Sequence, residues 1–366
     1  MSFEFWEFAI VMVKILAIVG ISQGTVAYLI LVERKIAAWA QDRLGPNRVG
    51  PFALIQPLVD GAKMLLKEDV TPAYVDKPVY TLAPAIAIIA AMIGFAVVPF
   101  GPVGPNAPTL SFPSWLGGGV HRVDFQIAPN VDIGMLYILS IGSLGVYGVI
   151  LAGWASNSKY AFLGGLRSSA QLISYEIPLG MSILGMILIT GSLDLTAIIN
   201  WQDRHVWGIF AQPLGFLLFL ISGFAETNRL PFDLPEAEQE LVGGFHTEYS
   251  AMKFGMFFLG EYLHIITVSF LTVILFGGGW DIPFLPFLNE DSTGWVSAFA
   301  KVAVISAKVF AMVVFIMWIR WTLPRFRYDT LMDLAWKRMI PLSLINLVAT
   351  ASLLYWFRDV MGYRWN

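Results

Sequence analysis

Apolar residues run through this chain in eight long stretches, near 8–32, 79–99, 133–153, 172–190, 209–227, 251–276, 296–320 and 340–357, parted by segments rich in charge and turn residues. Crossing the hydrocarbon core of a bilayer takes a helix of about 20 apolar residues, and each stretch comes close to that length or passes it. Inside lipid the backbone has no water to bond, so long uninterrupted runs predict helices, which satisfy their own backbone groups. The pattern predicts an all-α integral membrane protein of about eight transmembrane helices, forming a single polytopic membrane domain over 1–366. Shorter periodicities fall between the spans. Ile55, Leu58, Val59, Ala62, Leu65 and Leu66 recur at helical spacing while Asp60, Lys63 and Lys67 take other positions, which predicts an amphipathic helix on the membrane surface. Asp233-Leu234-Pro235-Glu236 has a capping residue, a proline in the first turn and an acid three residues on, and predicts a short helix starting at Asp233.

Composition agrees with a lipid solvent: 57% of the 366 residues are hydrophobic and 13% charged. The net charge of −3 matters less than how Lys and Arg divide between the two sides. Sixteen of them, from Arg34 to Arg338, fall in or beside the loops after helices 1, 3, 5 and 7, whereas only Arg122, Arg204, Arg358 and Arg364 fall on the other side. The positive-inside rule then puts both termini outside the cytoplasm. Glu4 and Glu7 precede the first run, where a cleaved signal would carry positive charge, so helix 1 is expected to persist in the mature protein. The chain has no cysteine, hence no thiolate for an iron–sulfur cluster, and only His264 of its four histidines lies within a span, which leaves no histidine pair for haem. No cofactor or metal is expected on this chain alone. No internal repeat of the kind found in secondary transporters is visible.

Candidate chemistry lies in ionisable residues at costly positions. A charge at the bilayer centre costs at least about 2.5–3.5 kcal/mol on insertion scales, yet Glu176 is early in helix 4, Glu226 ends helix 5, and Glu261 and His264 are in helix 6. Glu261 is about ten residues into its span, roughly 15 Å deep. A proton path and a buried ion pair, with Lys308 as partner, are the two readings of such acids; Lys14 and Lys301 read as snorkelling residues. The 228–250 loop concentrates Asp233, Glu236, Glu238, Glu240 and Glu248 against Arg229 and Lys253, and crowded carboxylates titrate as a group. Basic residues Arg34, Lys35, Arg43 and Lys63, with Arg320, Arg325 and Arg327 after helix 7, are interleaved with Glu33, Asp60 and Asp329. Such pairs suit a polar chamber that offers donors to a quinone headgroup beside an apolar passage for its tail.

The runs Glu33-Arg34-Lys35, Arg43-Leu44-Gly45-Pro46-Asn47-Arg48-Val49-Gly50-Pro51 and Gln56-Pro57-Leu58-Val59-Asp60-Gly61-Ala62-Lys63 resemble the first inner loop of one family, the quinone-site membrane subunits of respiratory complex I. Arg229-Leu230-Pro231-Phe232-Asp233-Leu234-Pro235-Glu236-Ala237-Glu238-Gln239-Glu240-Leu241-Val242, followed by His246-Thr247-Glu248-Tyr249-Ser250, resembles that family's most distinctive segment. Ser174-Tyr175-Glu176, Gly260-Glu261-Tyr262 and Arg325-Phe326-Arg327-Tyr328-Asp329 extend the resemblance towards the last helix.

The resemblance implies a non-redox membrane subunit of a proton-translocating NADH:quinone oxidoreductase in a bacterial plasma membrane. Quinone would be the substrate. FMN and Fe–S clusters would sit on partner subunits, and the neighbours would be the peripheral quinone-site and Fe–S subunits, the small membrane subunits and lipid, with no nucleic acid. Carried over by residue, Glu33, Arg34, Lys35, Asp60, Lys63, Arg320 and Arg325 would line the quinone chamber; Glu176, Glu226, Glu236, Glu238, Glu240 and Glu261 would form the proton path. One departure stands out. Some family members have a glutamate in helix 3 where this chain reads Gly142-Ser143-Leu144, so water or another residue would have to serve there. The membrane subunit of an energy-converting hydrogenase or ferredoxin-dependent complex would share these features, and a stand-alone ion transporter would explain the buried acids but not the basic loops.

Overall fold

The computed structural model describes residues 2–111, 119–129, 131–235, 238–282 and 294–357. In chain order the helices are α1 (Ser2–Ala40), α2 (Gln56–Leu66), α3 (Lys77–Ile93), α4 (Gly134–Ala155), α5 (Lys159–Thr190), α6 (Leu195–Arg204), α7 (Gly208–Ala211), α8 (Pro213–Glu226), α9 (Glu238–Leu241), α10 (Ala251–Phe276), α11 (Trp295–Thr322), α12 (Tyr328–Asp333) and α13 (Ile340–Tyr355). Helix α12 runs into α13 through a π-helical turn at Leu334–Met339. Among the described residues the one sheet is a small antiparallel hairpin, β1 (Thr109–Ser111) with β2 (Val120–Arg122), where Thr109 pairs with Arg122.

Among the described residues seven helices are long and apolar enough to cross a membrane, and the fold is that of an all-α membrane protein. The fifth run differs from its sequence reading: 209–227 breaks at Gln212 into α7 and a 14-residue α8. Pro213 causes the break, because a proline disfavours helical geometry in the residue before it, and Gln212 takes φ −139° and ψ 64°. Helix α8 is therefore about 21 Å long, short of a hydrocarbon core of about 30 Å. The break is held by the buried Gln212 side chain, which donates to Thr350 Oγ1 at 2.6 Å and accepts from Asn346 Nδ2 at 3.0 Å. Helix α5 begins at Lys159, well before the expected 172, since its first turns rise from the loop layer and tolerate Lys159 and Arg167.

Helix α10 forms the centre of the bundle: 72% of its apolar window is buried, against 44% or less for every other span. It packs on α3, α8 and α11, so most of its residues face protein. Helices α3 and α4 approach closely at Gly148, where a Cβ would lie 2.9 Å from the Ala87 backbone nitrogen.

The loops after α1, α4, α8 and α11 meet at one end of the bundle, as the charge count requires. Asn157 Nδ2 donates to Tyr74 O at 3.2 Å, Val70 N to Ser250 Oγ at 3.0 Å and Phe326 N to Pro231 O at 3.1 Å. At the opposite end Lys14 Nζ donates to Gln126 O at 3.3 Å, and Trp295 Nε1 to Thr109 O at 3.2 Å.

Three local expectations are corrected. Asp233 starts no helix over 231–235; its carboxylate instead accepts from Arg325 Nη2 at 2.9 Å. Lys301 does not snorkel, being 1% exposed. Lys308 does not pair with Glu261: its ammonium donates to Gly277 O at 2.8 Å, lies 4.5 Å from the Trp207 ring centre and faces the far end of α10.

Candidate functional site

A buried knot of charge lies where α1, α10, α11 and the 227–235 loop converge. Glu33, near the end of α1 and 5% exposed, accepts from the hydroxyl of Tyr262 on α10 and from the guanidinium of Arg320 on α11. Arg229, 3% exposed, bridges two acids, with Nη1 3.5 Å from Glu33 Oε1 and Nε 2.6 Å from Glu261 Oε1. Its guanidinium also lies 4.5 Å from the Tyr262 ring centre. Two carboxylates and two guanidiniums balance in charge, which is what lets the group stay buried.

Two cavities lie near the knot, one of them bounded by Glu33, Tyr262 and Arg320 and the other reaching it only through Arg34, Ile30 and Phe258. One, about 380 Å³, is lined by Glu33, Arg34, Arg43, Phe258, Tyr262 and Arg320. The other, about 250 Å³, lies between α1, α2 and α10 and is largely apolar, with Arg34, Asp60 and Lys63 at its polar edge and Met64, Leu65 and Phe258 along its wall. Arg34 lines both. Its Nη1 is 2.6 Å from Asp60 Oδ2, and Asp60 also accepts from Gln56 Nε2 at 3.1 Å, so α2 is pinned to α1 by a polar clasp. Donors at one end and an apolar slot beside it suit a ligand with a carbonyl-bearing head and a hydrocarbon tail.

A third cavity, about 80 Å³, lies deeper in the bundle, and Glu176 of α5, Glu226 of α8, Glu261 of α10 and His264 of α10 all line it. It has room for several waters. Ser143 of α4 donates to Glu176, so the α4 wall, which has no carboxylate, supplies a hydroxyl. Glu226 reaches the same wall, with Oε1 3.7 Å from where a Cβ on Gly142 would be. Three acids far apart in sequence thus line one cavity, and Glu261, paired to Arg229, links it to the charge knot.

The family model described as NADH dehydrogenase matches residues 13–351. The NADH-quinone oxidoreductase H subunit of Leptospira biflexa serovar Patoc is 48% identical over 349 residues, covering 94% of this chain and 95% of its own. The chain belongs to the family of NADH-quinone oxidoreductase H subunits. Similar proteins include the H subunit numbered 1 of Geobacter metallireducens, 48% identical with 95% and 97% of the two chains covered, and the H subunit numbered 2 of Koribacter versatilis, 45% identical with 93% and 96% covered.

Within this H-type chain the structure sorts the residues singled out from sequence. Glu33 and Arg320 join in the knot, and Arg34, Asp60 and Lys63 join at the α1–α2 clasp, with Lys63 Nζ 4.0 Å from Asp60. Lys35 stands slightly apart, donating to Phe52 O at 2.9 Å, and Arg325 is held by Asp233. Glu176, Glu226 and Glu261 meet in the deep cavity. Glu240 does not reach it; half-exposed, it pairs with Arg167 at 2.7 Å. Glu236 lies outside the described residues, as does the side chain of Glu238. Arg229, which the sequence offered only as one of two loop cations, is the residue that joins the knot to the deep cavity through its pairs with Glu33 and Glu261.

His246 closes the deep cavity from the loop side, its ring 5.1 Å from Phe254. Burial pushes it down from 6.5 to about 4, so the folded loop holds it neutral while the unfolded chain would bind a proton from pH 6.5 downward. Stability is therefore complete above pH 6.5 and falls toward pH 4 by up to about 1.4 kcal/mol per pH unit. Hydrogen exchange of residues 244–250 should rise steeply between pH 6.5 and 5, after correction for intrinsic rates, and His246→Phe should flatten that rise; an equal rise in both proteins would refute the assignment.

Proposed function

We propose that this chain forms the quinone-binding chamber of NADH:quinone oxidoreductase and couples quinone reduction to proton translocation. The observation that carries the reading is the Glu33–Arg229–Glu261 bridge, which joins a donor-rich cavity with an apolar side passage to a buried cavity of carboxyl groups. The chain does no electron transfer: with no cysteine it offers no thiolate for an Fe–S cluster, and electrons arrive from Fe–S and FMN centres on peripheral subunits docked on the loop layer. Small membrane subunits and lipid surround the rest. The loop layer faces the cytoplasm of a bacterial cell, and both termini lie outside it.

Quinone reduction adds two electrons and two protons to the ring. Arg34 and Arg43 offer hydrogen bonds to the ring oxygens as negative charge develops on them, and the α2–α10 slot takes the isoprenoid tail. Charge arriving beside Glu33 alters how Arg229 divides its guanidinium between Glu33 and Glu261. A weaker hold on Glu261 raises its proton affinity, and the change is felt by Glu226 and Glu176 across the deep cavity. Coupling in this scheme is electrostatic and reciprocal: proton motive force loads the same acids and opposes quinone reduction.

Arg34→Ala tests the chamber. The variant removes a donor shared by both cavities and frees α2 from its clasp, and KM for a short-chain quinone is expected to rise about tenfold, equivalent to about 1.4 kcal/mol. Electron flow to a hydrophilic acceptor that bypasses the quinone should remain. Unaltered quinone kinetics in an assembled complex would remove Arg34 from the chamber.

A further inference from the structure

We propose that His264 relays protons between Glu226 and Glu261 along the α4 wall, which bears no carboxylate of its own. This rests on the proton-coupled reading above and goes beyond it by assigning the step that the three acids leave open. Ser143 is already committed, bonded to Leu139 O at 2.9 Å and to Glu176, and a hydroxyl does not hold a second proton near neutral pH.

The geometry at α4 singles out His264. It lies three residues after Glu261, on the same face of α10, and lines the same cavity. Its Nε2 comes within 3.1 Å of where a Cβ on Gly145 would be, and Glu226 Oε1 within 3.7 Å of the corresponding point at Gly142. Gly142 and Gly145 are one turn apart on one face of α4, so the imidazole and the Glu226 carboxyl are neighbours along that wall. Any side chain at 145 would displace the ring. The groups facing His264 across the cavity are Glu176 from α5, Glu226 from α8, His246 from the loop and Glu261 from its own helix.

Imidazole suits the task because one ring nitrogen accepts a proton while the other releases one. In the relay a proton leaves one carboxyl group, binds the free ring nitrogen, and the proton on the other nitrogen passes to the second carboxylate, directly or through a cavity water. Tautomer exchange or ring rotation restores the start. One proton moves, no electron does, and no charge stays on the ring.

The test uses inverted membrane vesicles holding the whole complex, comparing His264→Leu, Gly145→Ala, Glu226→Gln and the double variant His264→Leu with Ser143→Glu. Proton uptake per NADH oxidised is read with a pH-sensitive dye over a range of pH, and reduction of a hydrophilic acceptor reports assembly. His264→Leu is expected to lower proton uptake at least tenfold, Gly145→Ala to lower it partly with a shifted pH profile, and the double variant to recover most of it. If His264→Leu pumps like the parent while Glu226→Gln does not, His264 is no relay and the cavity reading survives. If Glu226→Gln also pumps normally, both fall. Should His264→Leu fail to assemble, Gly145→Ala decides, and parental pumping with an unshifted profile overturns the proposal.

Discussion

Arg229→Met is expected to be the most damaging single change outside the α-helical core, destabilising the assembled complex by about 3–5 kcal/mol. The cause is what remains after the change. Glu33 and Glu261 stay buried, one at 3.5 Å and the other at 2.6 Å from a guanidinium that is no longer there; Glu33 keeps the Arg320 guanidinium and the Tyr262 hydroxyl, so the cost falls mainly on Glu261. Lysine does not replace it, because a single ammonium has neither the planar fork to serve both acids nor the flat face that lies on Tyr262. Neutralising the site as a set, with Glu261→Gln added to Arg229→Met, should cost less than Arg229→Met alone, since the orphaned charge is what hurts. Thermal unfolding of purified complex measures both. A melting temperature for Arg229→Met within a degree of the parent would mean that the knot is wet and loosely held.

The membrane fold was largely legible because lipid imposes long apolar runs, and among the described residues seven of them are helices long and apolar enough to cross a membrane. The fifth run shows the limit of that signal. Hydropathy counts 209–227 as continuous, whereas Pro213 breaks it and the bundle buries the break through Gln212, a tertiary effect that no window average detects. Three acids stood out for a similar reason: Glu176, Glu226 and Glu261 are expensive in lipid, and the structure places all three around one cavity.

Partners were harder to read than sites. Depth along a helix follows from residue count, but azimuth and side-chain direction do not, so Glu261 and Lys308, though both near the middle of their helices, turn toward different ends. Arg229 was hidden by its position in a loop, where a cation is ordinarily solvated; burial at 3% follows only from how α1 and α10 close over it. The acid-rich segment was read as a unit, yet Asp233 binds Arg325 and Glu240 binds Arg167, which separates them from the deep cavity. Charge density along the segment did not distinguish acids that hold the loop in place, such as Asp233 and Glu240, from Glu226 at the end of α8, which lines the cavity.

That distinction yields the second large effect. Glu226→Gln keeps the size and hydrogen-bonding capacity of the side chain at the end of α8 and removes only its ability to exchange a proton, so the fold should survive. Proton translocation should not. A loss of at least tenfold in coupled turnover is expected, at least about 1.4 kcal/mol in the limiting step, with assembly unchanged. Glu176→Gln should act in the same direction, because Glu176 shares the cavity and is oriented by Ser143. Glu240→Gln supplies the contrast: its carboxylate is 53% exposed beside Arg167, an ion pair worth about 0–1 kcal/mol, and its loss should lower coupled turnover by less than twofold. Were Glu240→Gln to uncouple the enzyme while Glu226→Gln pumped normally, the proton path would run along the surface loop instead of through the buried cavity.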